Sequence, residues 1–221
     1  MNNVSFSLLE LFQMGGIIMW PLLFYSVVAV AISVERIVYL LYHNLRMDDL
    51  AQKLSGFVEN NDYAGAAQYL SAQPKRRMGA RILLSLINSA KSGRNFSERR
   101  LERAAETEAL NCINSLENGF NFLIAIGSLS PLTGFLGTVT GMIGAFKSIA
   151  EATEVNAQIV ASGIYEALIT TVFGLVVAII AMVFHSIFTH FVDKFAARTE
   201  GICSALISQI ADHSGNADTE A

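Results

Sequence analysis

The sequence predicts an all-α membrane protein with three transmembrane helices. Helices two and three extend into the cytoplasm, and a helical loop domain follows span one. Three observations carry this. The 221-residue chain is 52% hydrophobic and 15% charged, against roughly a quarter charged in an ordinary soluble domain. Three apolar stretches approach or exceed the roughly 20 residues that cross a bilayer. Basic residues crowd between the first two of these, with 12 of the 15 Lys and Arg lying from Arg36 to Arg103.

Residues 1–13 form an outer-face N-terminal segment. The stretch VSFSLLELFQM, beginning at Val4, has mixed polarity. It reads either as a short amphipathic helix at the interface or as a frayed end. Because residues 1–13 lack Lys and Arg, the positive region of a signal peptide is missing and an uncleaved first helix is expected. Span one covers 14–42, with Trp20 and Tyr25 toward one end and Tyr39 and Tyr42 at the other, as aromatic belts require.

Residues 43–118 are expected to form the cytoplasmic helical domain. Leu50, Leu54, Phe57 and Val58 make a 3.6-residue stripe in Met47 to Val58. Asp62 to Leu70 and Gly79 to Ala90 read as two further helices. Between them, beside Pro74, Lys75-Arg76-Arg77 either contacts anionic lipid or marks the inner side. Ser97 reads as an N-cap with Glu98 in the first turn. With no stop before Pro131, one long helix is expected to start there and become span two. Ser97 to Phe120 would project about 35 Å at 1.5 Å per residue.

Span two covers 119–146, and Phe120 to Phe146 carries no charge. A periplasmic loop at 147–163 follows; Ser148 to Ser162 has no basic residue but carries Glu151 and Glu154. Span three covers 164–188, with Glu166 its one charge. Residues 189–221 are a cytoplasmic helix extension through Phe191, Phe195, Ile202 and Leu206, and a polar, disordered tail after Asp212. The basic bias puts the long loop and C-terminus in the cytoplasm and the N-terminus in the periplasm.

Composition and motifs narrow the chemistry. No phosphate loop, dinucleotide fingerprint, zinc signature or nucleophile elbow is present. No catalytic residue, cofactor or metal site is therefore assigned, and an enzyme is not expected. The basic loop is interleaved with acids, so it reads as a solvated face without nucleic acid. Cys112 and Cys203 both fall on the cytoplasmic side, where a structural disulfide is not expected.

The spans hold the informative residues. In span two, Gly134, Gly137, Thr138, Gly141 and Gly144 recur at helical spacing; in span three, Ala167, Thr171, Gly174 and Ala178 do so. Small faces let helices approach closely in lipid, and the glycines and alanines read as a helix-packing or pore face. Thr138 lies about 12 Å from the Phe146 end and Thr171 about 10 Å from Ile164, so two hydroxyls are expected at similar depth. Each could instead bond its own helix. An acid inside a span is a functional candidate, but Glu166 is close to the end of the span. It reads as a pore-mouth group or as an interfacial anchor.

At these residues the sequence resembles the ExbB/TolQ/MotA proton-channel family. SPLTGFLGTVTGMIGAF and GIYEALITTVFGLVVAIIA look like its second and third membrane helices, and the three-span layout resembles the ExbB/TolQ branch. The resemblance implies a homopentamer in the bacterial inner membrane around an ExbD/TolR-type single-span partner bearing a proton-binding Asp. It implies proton flow that drives a TonB- or TolA-like protein, with sodium left open as the ion. Thr138, Thr171 and Glu166 match the family's proton-pathway positions. The Ile-Pro-Ala of family members is here Ile179-Ile180-Ala181, so no proline kink is expected there. The alternative is a non-conducting membrane scaffold assembled through the small-residue faces.

Overall fold

The structure is a computed structural model that describes residues 8–91, 97–151 and 157–219. Eight helices follow one another among them: α1 Leu8–Met14, α2 Met19–Tyr42, α3 Asp48–Glu59, α4 Tyr63–Ser71, α5 Met78–Lys91, α6 Glu98–Glu117, α7 Phe120–Glu151 and α8 Ala157–Thr219. Three of them are long and apolar enough to cross a membrane: α2, α7 and the Ala161–Asp212 part of α8. The chain is thus an all-α, multi-pass membrane protein. It divides into two compact units, Met1–Glu35 with Gly119–Ile187 and Arg36–Asn118 with Phe188–Ala221.

In the first unit, α1 turns into α2 through Gly15 and Gly16. Gly16 has φ +65°, a left-handed backbone that costs an L side chain roughly 1–2 kcal/mol. The turn lets Leu11 and Phe12 of α1 pack on a cluster of Met19, Leu22 and Ile169, joined by Tyr25 and Phe173. The Phe12 and Trp20 rings meet edge to face at 5.6 Å. So the N-terminal segment is an ordered helix from Leu8, its apolar side held by α2 and α8.

Helices α7 and α8 pack main chain against main chain. A Cβ added at Gly134 would lie 2.9 Å from the Thr170 carbonyl oxygen, and one at Gly174 would lie 2.5 Å from that of Ser130. Away from this seam the large apolar side chains point outward: Phe135, Ile143, Val172 and Ile179 are all exposed. That suits helices whose outer faces meet lipid or other apolar helices. Helix α8 passes through Ile179-Ile180-Ala181 unbroken.

The second unit has a conventional core. Leu50, Leu54 and Val58 of α3, Ile82, Leu83, Leu86 and Ile87 of α5, and Leu116 of α6 are fully buried, with Ile210 of α8 nearly so. The Asp62 carboxylate caps α4 by accepting from the Gly65 amide at 2.8 Å. Ser97 stands at the N-cap position of α6, but its hydroxyl makes no capping bond. Buried Arg36 donates to the carbonyls of Ser115 and Leu116 at 3.3 and 3.4 Å, where a cation suits the negative end of a helix.

Three expectations change here. The single helix expected from Ser97 into span two is interrupted at Asn118–Gly119, between α6 and α7. Gly119 adopts φ +88°, which ends a helix as a C-terminal glycine does. The loop expected at 147–163 is much shorter: α7 runs on to Glu151 and α8 starts at Ala157, with 152–156 outside the described residues. The polar tail expected to be disordered after Asp212 is helical backbone through Thr219. Once a helix is nucleated, each further residue adds a bond, and no proline intervenes.

Candidate ion-pathway face

The candidate site grows out of the α7–α8 seam. Along α7 the buried positions are Phe120, Leu123, Ile126, Ser130, Gly134, Gly137 and Ala145. These positions follow helical periodicity. Along α8, Ala167, Thr170, Gly174, Ala178 and Ala181 answer them. A Cβ at Gly137 would fall 2.2 Å from the Thr170 hydroxyl, and one at Gly141 would fall 3.0 Å from the Ala167 Cβ. Gly144 stands apart: a Cβ there would meet nothing within 4 Å. So Gly134, Gly137, Gly141, Ala167 and Gly174 form the close-packed seam, with Ala178 buried beside it, and Gly144 does not pack.

The threonines sit on its flanks. Thr171 is half-buried, and its hydroxyl donates across the seam to the Gly134 carbonyl at 3.1 Å. Thr138 is half-buried too, but its hydroxyl donates to Phe135 of its own helix at 2.7 Å. The two acceptors, Gly134 and Phe135, are successive residues of α7, so their carbonyls lie about 1.5 Å apart along the helix.

The residue that sequence reasoning missed is Thr170. It is 1% exposed, and its hydroxyl bonds Ala167 at 2.7 Å and Gly134 at 3.3 Å. The spacing 167, 170, 174, 178 fits a helical face as well as 167, 171, 174, 178. Only the rotation of α8 chooses between them. Thr140, which lies 200° around α7 from Thr138, bonds the carbonyls of Leu136 and Gly137. Satisfaction by its own helix therefore does not separate it from Thr138.

On the Thr140 side, a half-open cavity of about 410 Å³ lies within the first unit. Its polar lining is Thr140, Ser148, Ser162, Glu166 and Thr170, four hydroxyls and one carboxylate. Exposed Glu166 reaches from α8 to the α1–α2 turn, where a Cβ on Gly16 would lie 2.0 Å from its Oε1. The structure thus groups Glu166 with Thr170 and Thr140, and places Thr138 and Thr171 outside this cavity. Among the described residues no group of three His, Cys, Asp or Glu could hold a metal ion.

Charged groups of the second unit behave differently. Asp49 hydrogen-bonds Arg77 at 2.5 Å, and this bond holds its carboxyl below the usual range. Cys112 and Cys203 are free and buried, and burial raises the Cys112 thiol above its usual value.

Comparison with known proteins places these features. Residues 75–201 match the profile of the MotA/TolQ/ExbB proton channel family. The biopolymer transport protein ExbB-like 3 of Synechocystis is 35% identical over 177 residues, 79% of this chain and 81% of that protein. ExbB of Salmonella typhimurium is 33% identical over 160 residues, covering 71% of this chain and 63% of its own length. TolQ of Haemophilus influenzae is 47% identical over 70 residues, 32% of this chain and 31% of TolQ.

Proposed function

Because the chain belongs to the MotA/TolQ/ExbB proton channel family, we propose that it is the channel-forming subunit of a motor driven by the proton-motive force. At the coarser level it is a proton-channel subunit of ExbB/TolQ type. In the proposal, copies of the chain assemble as a homopentamer in the inner membrane, N-terminus outside and C-terminus inside. They enclose an ExbD/TolR-type partner whose single span carries a proton-binding Asp. Proton flow through this assembly energises a TonB- or TolA-like protein.

One observation carries the reading. Thr171 and Thr138 flank a seam so tight that Gly134 and Gly174 could not carry a Cβ without displacing main chain. Their hydroxyls are half-buried and bonded only to main-chain carbonyls. A hydroxyl has one donor and two acceptor lone pairs, so each retains acceptor capacity. A partner carboxyl passing that flank would find hydrogen-bonding groups in an otherwise apolar wall. As acceptors they hold the proton on the neutral acid, and a hydroxyl that turns its one hydrogen from its carbonyl to the carboxylate favours the ionised form.

The test is ion flux. Thr138→Val and Thr171→Val keep shape and remove the hydroxyl. In vesicles containing the chain and its single-span partner, each change should reduce partner-dependent proton flux; unchanged flux in both would refute the pathway. Replacing protons by sodium at fixed pH distinguishes the ion.

A scaffold without conduction is the second reading. It is favoured by the fact that both hydroxyls are already satisfied by main-chain carbonyls. Oligomer formation with no partner-dependent flux in the unaltered protein would select it.

A further inference from the structure

Within the second unit, α6 and the end of α8 border an open groove of about 790 Å³. Its walls carry four carboxylates, Glu98, Glu102 and Glu106 from α6 and Glu200 from α8, over a floor that includes Leu110 and Ile113. All four acids are exposed, and Leu110 is 51% exposed. Elsewhere in the unit, charges pair within the chain: Arg77 with Asp49, Arg81 with Glu108, and Arg198 with Asp48. None of the four groove acids is so paired among the described residues.

The complement lies on the same helix. Arg99 and Arg103 are exposed and likewise unpaired. At 100° per residue they form a ridge about 80° from the centre of the glutamate stripe, on the side of Leu110 at the groove's edge. One copy thus presents an acidic groove and, beside it, a basic ridge. We propose that the groove receives the α6 ridge of a second copy, Arg99 and Arg103 of one subunit seating against Glu98, Glu102, Glu106 and Glu200 of the next. This rests on the homo-oligomeric reading above and names the surface that would make it.

Symmetry selects this pairing over self-docking. Copies inserted in one direction are related by rotation about the membrane normal, so equal residue numbers stand at equal height. Arg99 then stands between Glu98 and Glu102, and Arg103 between Glu102 and Glu106. A two-fold axis would set the acidic stripe against itself. The head-to-tail contact sets acid against base and leaves each copy with one groove and one ridge to offer, which is the arrangement that closes a ring. Half-exposed Leu110 and Ile113 supply an apolar centre inside a charged rim.

The test uses full-length protein in detergent micelles, with subunit number read by native mass spectrometry across a dilution series. Glu102→Arg with Glu106→Arg, or Arg99→Glu with Arg103→Glu, should each raise the concentration at which half the oligomer dissociates by tenfold or more. All four changes together should return it to near the original value. These side chains are exposed, and helix content checks that each variant folds. An oligomer indifferent to both double variants, or a quadruple variant no better than either, overturns the groove while leaving assembly intact. A protein that is monomeric without substitutions refutes the oligomer itself. As a second measurement, co-expressed Arg103→Cys and Ser204→Cys chains with different tags should form a disulfide between copies; absence of that disulfide in an intact oligomer also overturns the groove.

Discussion

The Thr171 hydroxyl donates to the Gly134 carbonyl oxygen across the seam between α7 and α8 at 3.1 Å. The same oxygen is reached by Thr170 at 3.3 Å, so it keeps a cross-helix partner if either is lost. Thr171→Val should therefore cost less than about 1 kcal/mol of stability, since hydrogen bonds between membrane helices average about 0.6 kcal/mol. Partner-dependent flux should fall about tenfold or more, about 1.4 kcal/mol of barrier. Thermal unfolding in detergent and vesicle flux, measured on the same preparation, check both halves. A large stability loss with unchanged flux would make Thr171 a packing residue.

Two glycines of similar sequence context should respond in opposite ways. A methyl at Gly174 meets the Ser130 carbonyl oxygen at 2.5 Å and Gly134 Cα at 3.2 Å, neither of which can rotate aside. Gly174→Ala should cost about 1–3 kcal/mol, as overpacking does. Gly144→Ala enters open space and should be neutral or stabilise slightly, because alanine is the better helix former. Equal unfolding temperatures for the two variants would contradict the seam.

Gly16 combines a left-handed backbone with a carboxylate lying against it. Gly16→Ala should destabilise the α1–α2 turn by about 1–2 kcal/mol from backbone strain alone, with a further loss from displacing Glu166. In a Glu166→Ala background the cost should shrink toward the strain alone. Hydrogen exchange at the amides of residues 15–20 in the four proteins measures this coupling. Equal costs in both backgrounds would show that Glu166 and the turn act independently.

The Cys112 thiol titrates above its usual value of 9.0 because burial disfavours the thiolate. Its folded value lies above the unfolded one, so its stabilising effect is complete below pH 9.0 and is lost as pH rises through the folded value. Stability should decline above pH 9.0, and Cys112→Ser should flatten this part of the decline. Thiol-specific reagents at pH 8 should label Cys112 in the folded protein far more slowly than in the unfolded chain. Rapid labelling of Cys112 in the folded chain would mean the packing of α6 around it opens.

Much of the fold is legible in the residues. Periodic leucines place α3 within a residue or two, from 47–58 expected to 48–59 observed, and α5 within one. The helix break at Gly119 was not legible, because a glycine next to an apolar run looks like the small-residue seam further along. The N-terminal helix was one of two open readings until Gly15 and Gly16 folded it onto Met19 and Ile169. Of the candidate site, the glycine face of α7 was readable from spacing, but the buried hydroxyl on α8 was not. Thr170 and Thr171 differ by 100° around the helix, and a stripe of three or four small residues tolerates that much rotation.

What the residues determine by themselves is a sum over local preferences. Apolar length sets the three spans, charge separates them from the helical unit between, and small side chains mark where helices can approach. These depend on composition within a window and survive any rotation of a helix about its axis. The tertiary structure decides rotation and register: Thr170 inside the seam with Thr171 and Thr138 on its flank, Glu166 against Gly16, and Gly144 facing open space. Those are settled by close contacts between residues distant in sequence, such as Gly134 with Thr170 and Gly174 with Ser130. A Cβ two or three ångströms from a carbonyl is forbidden there, and no local pattern records it.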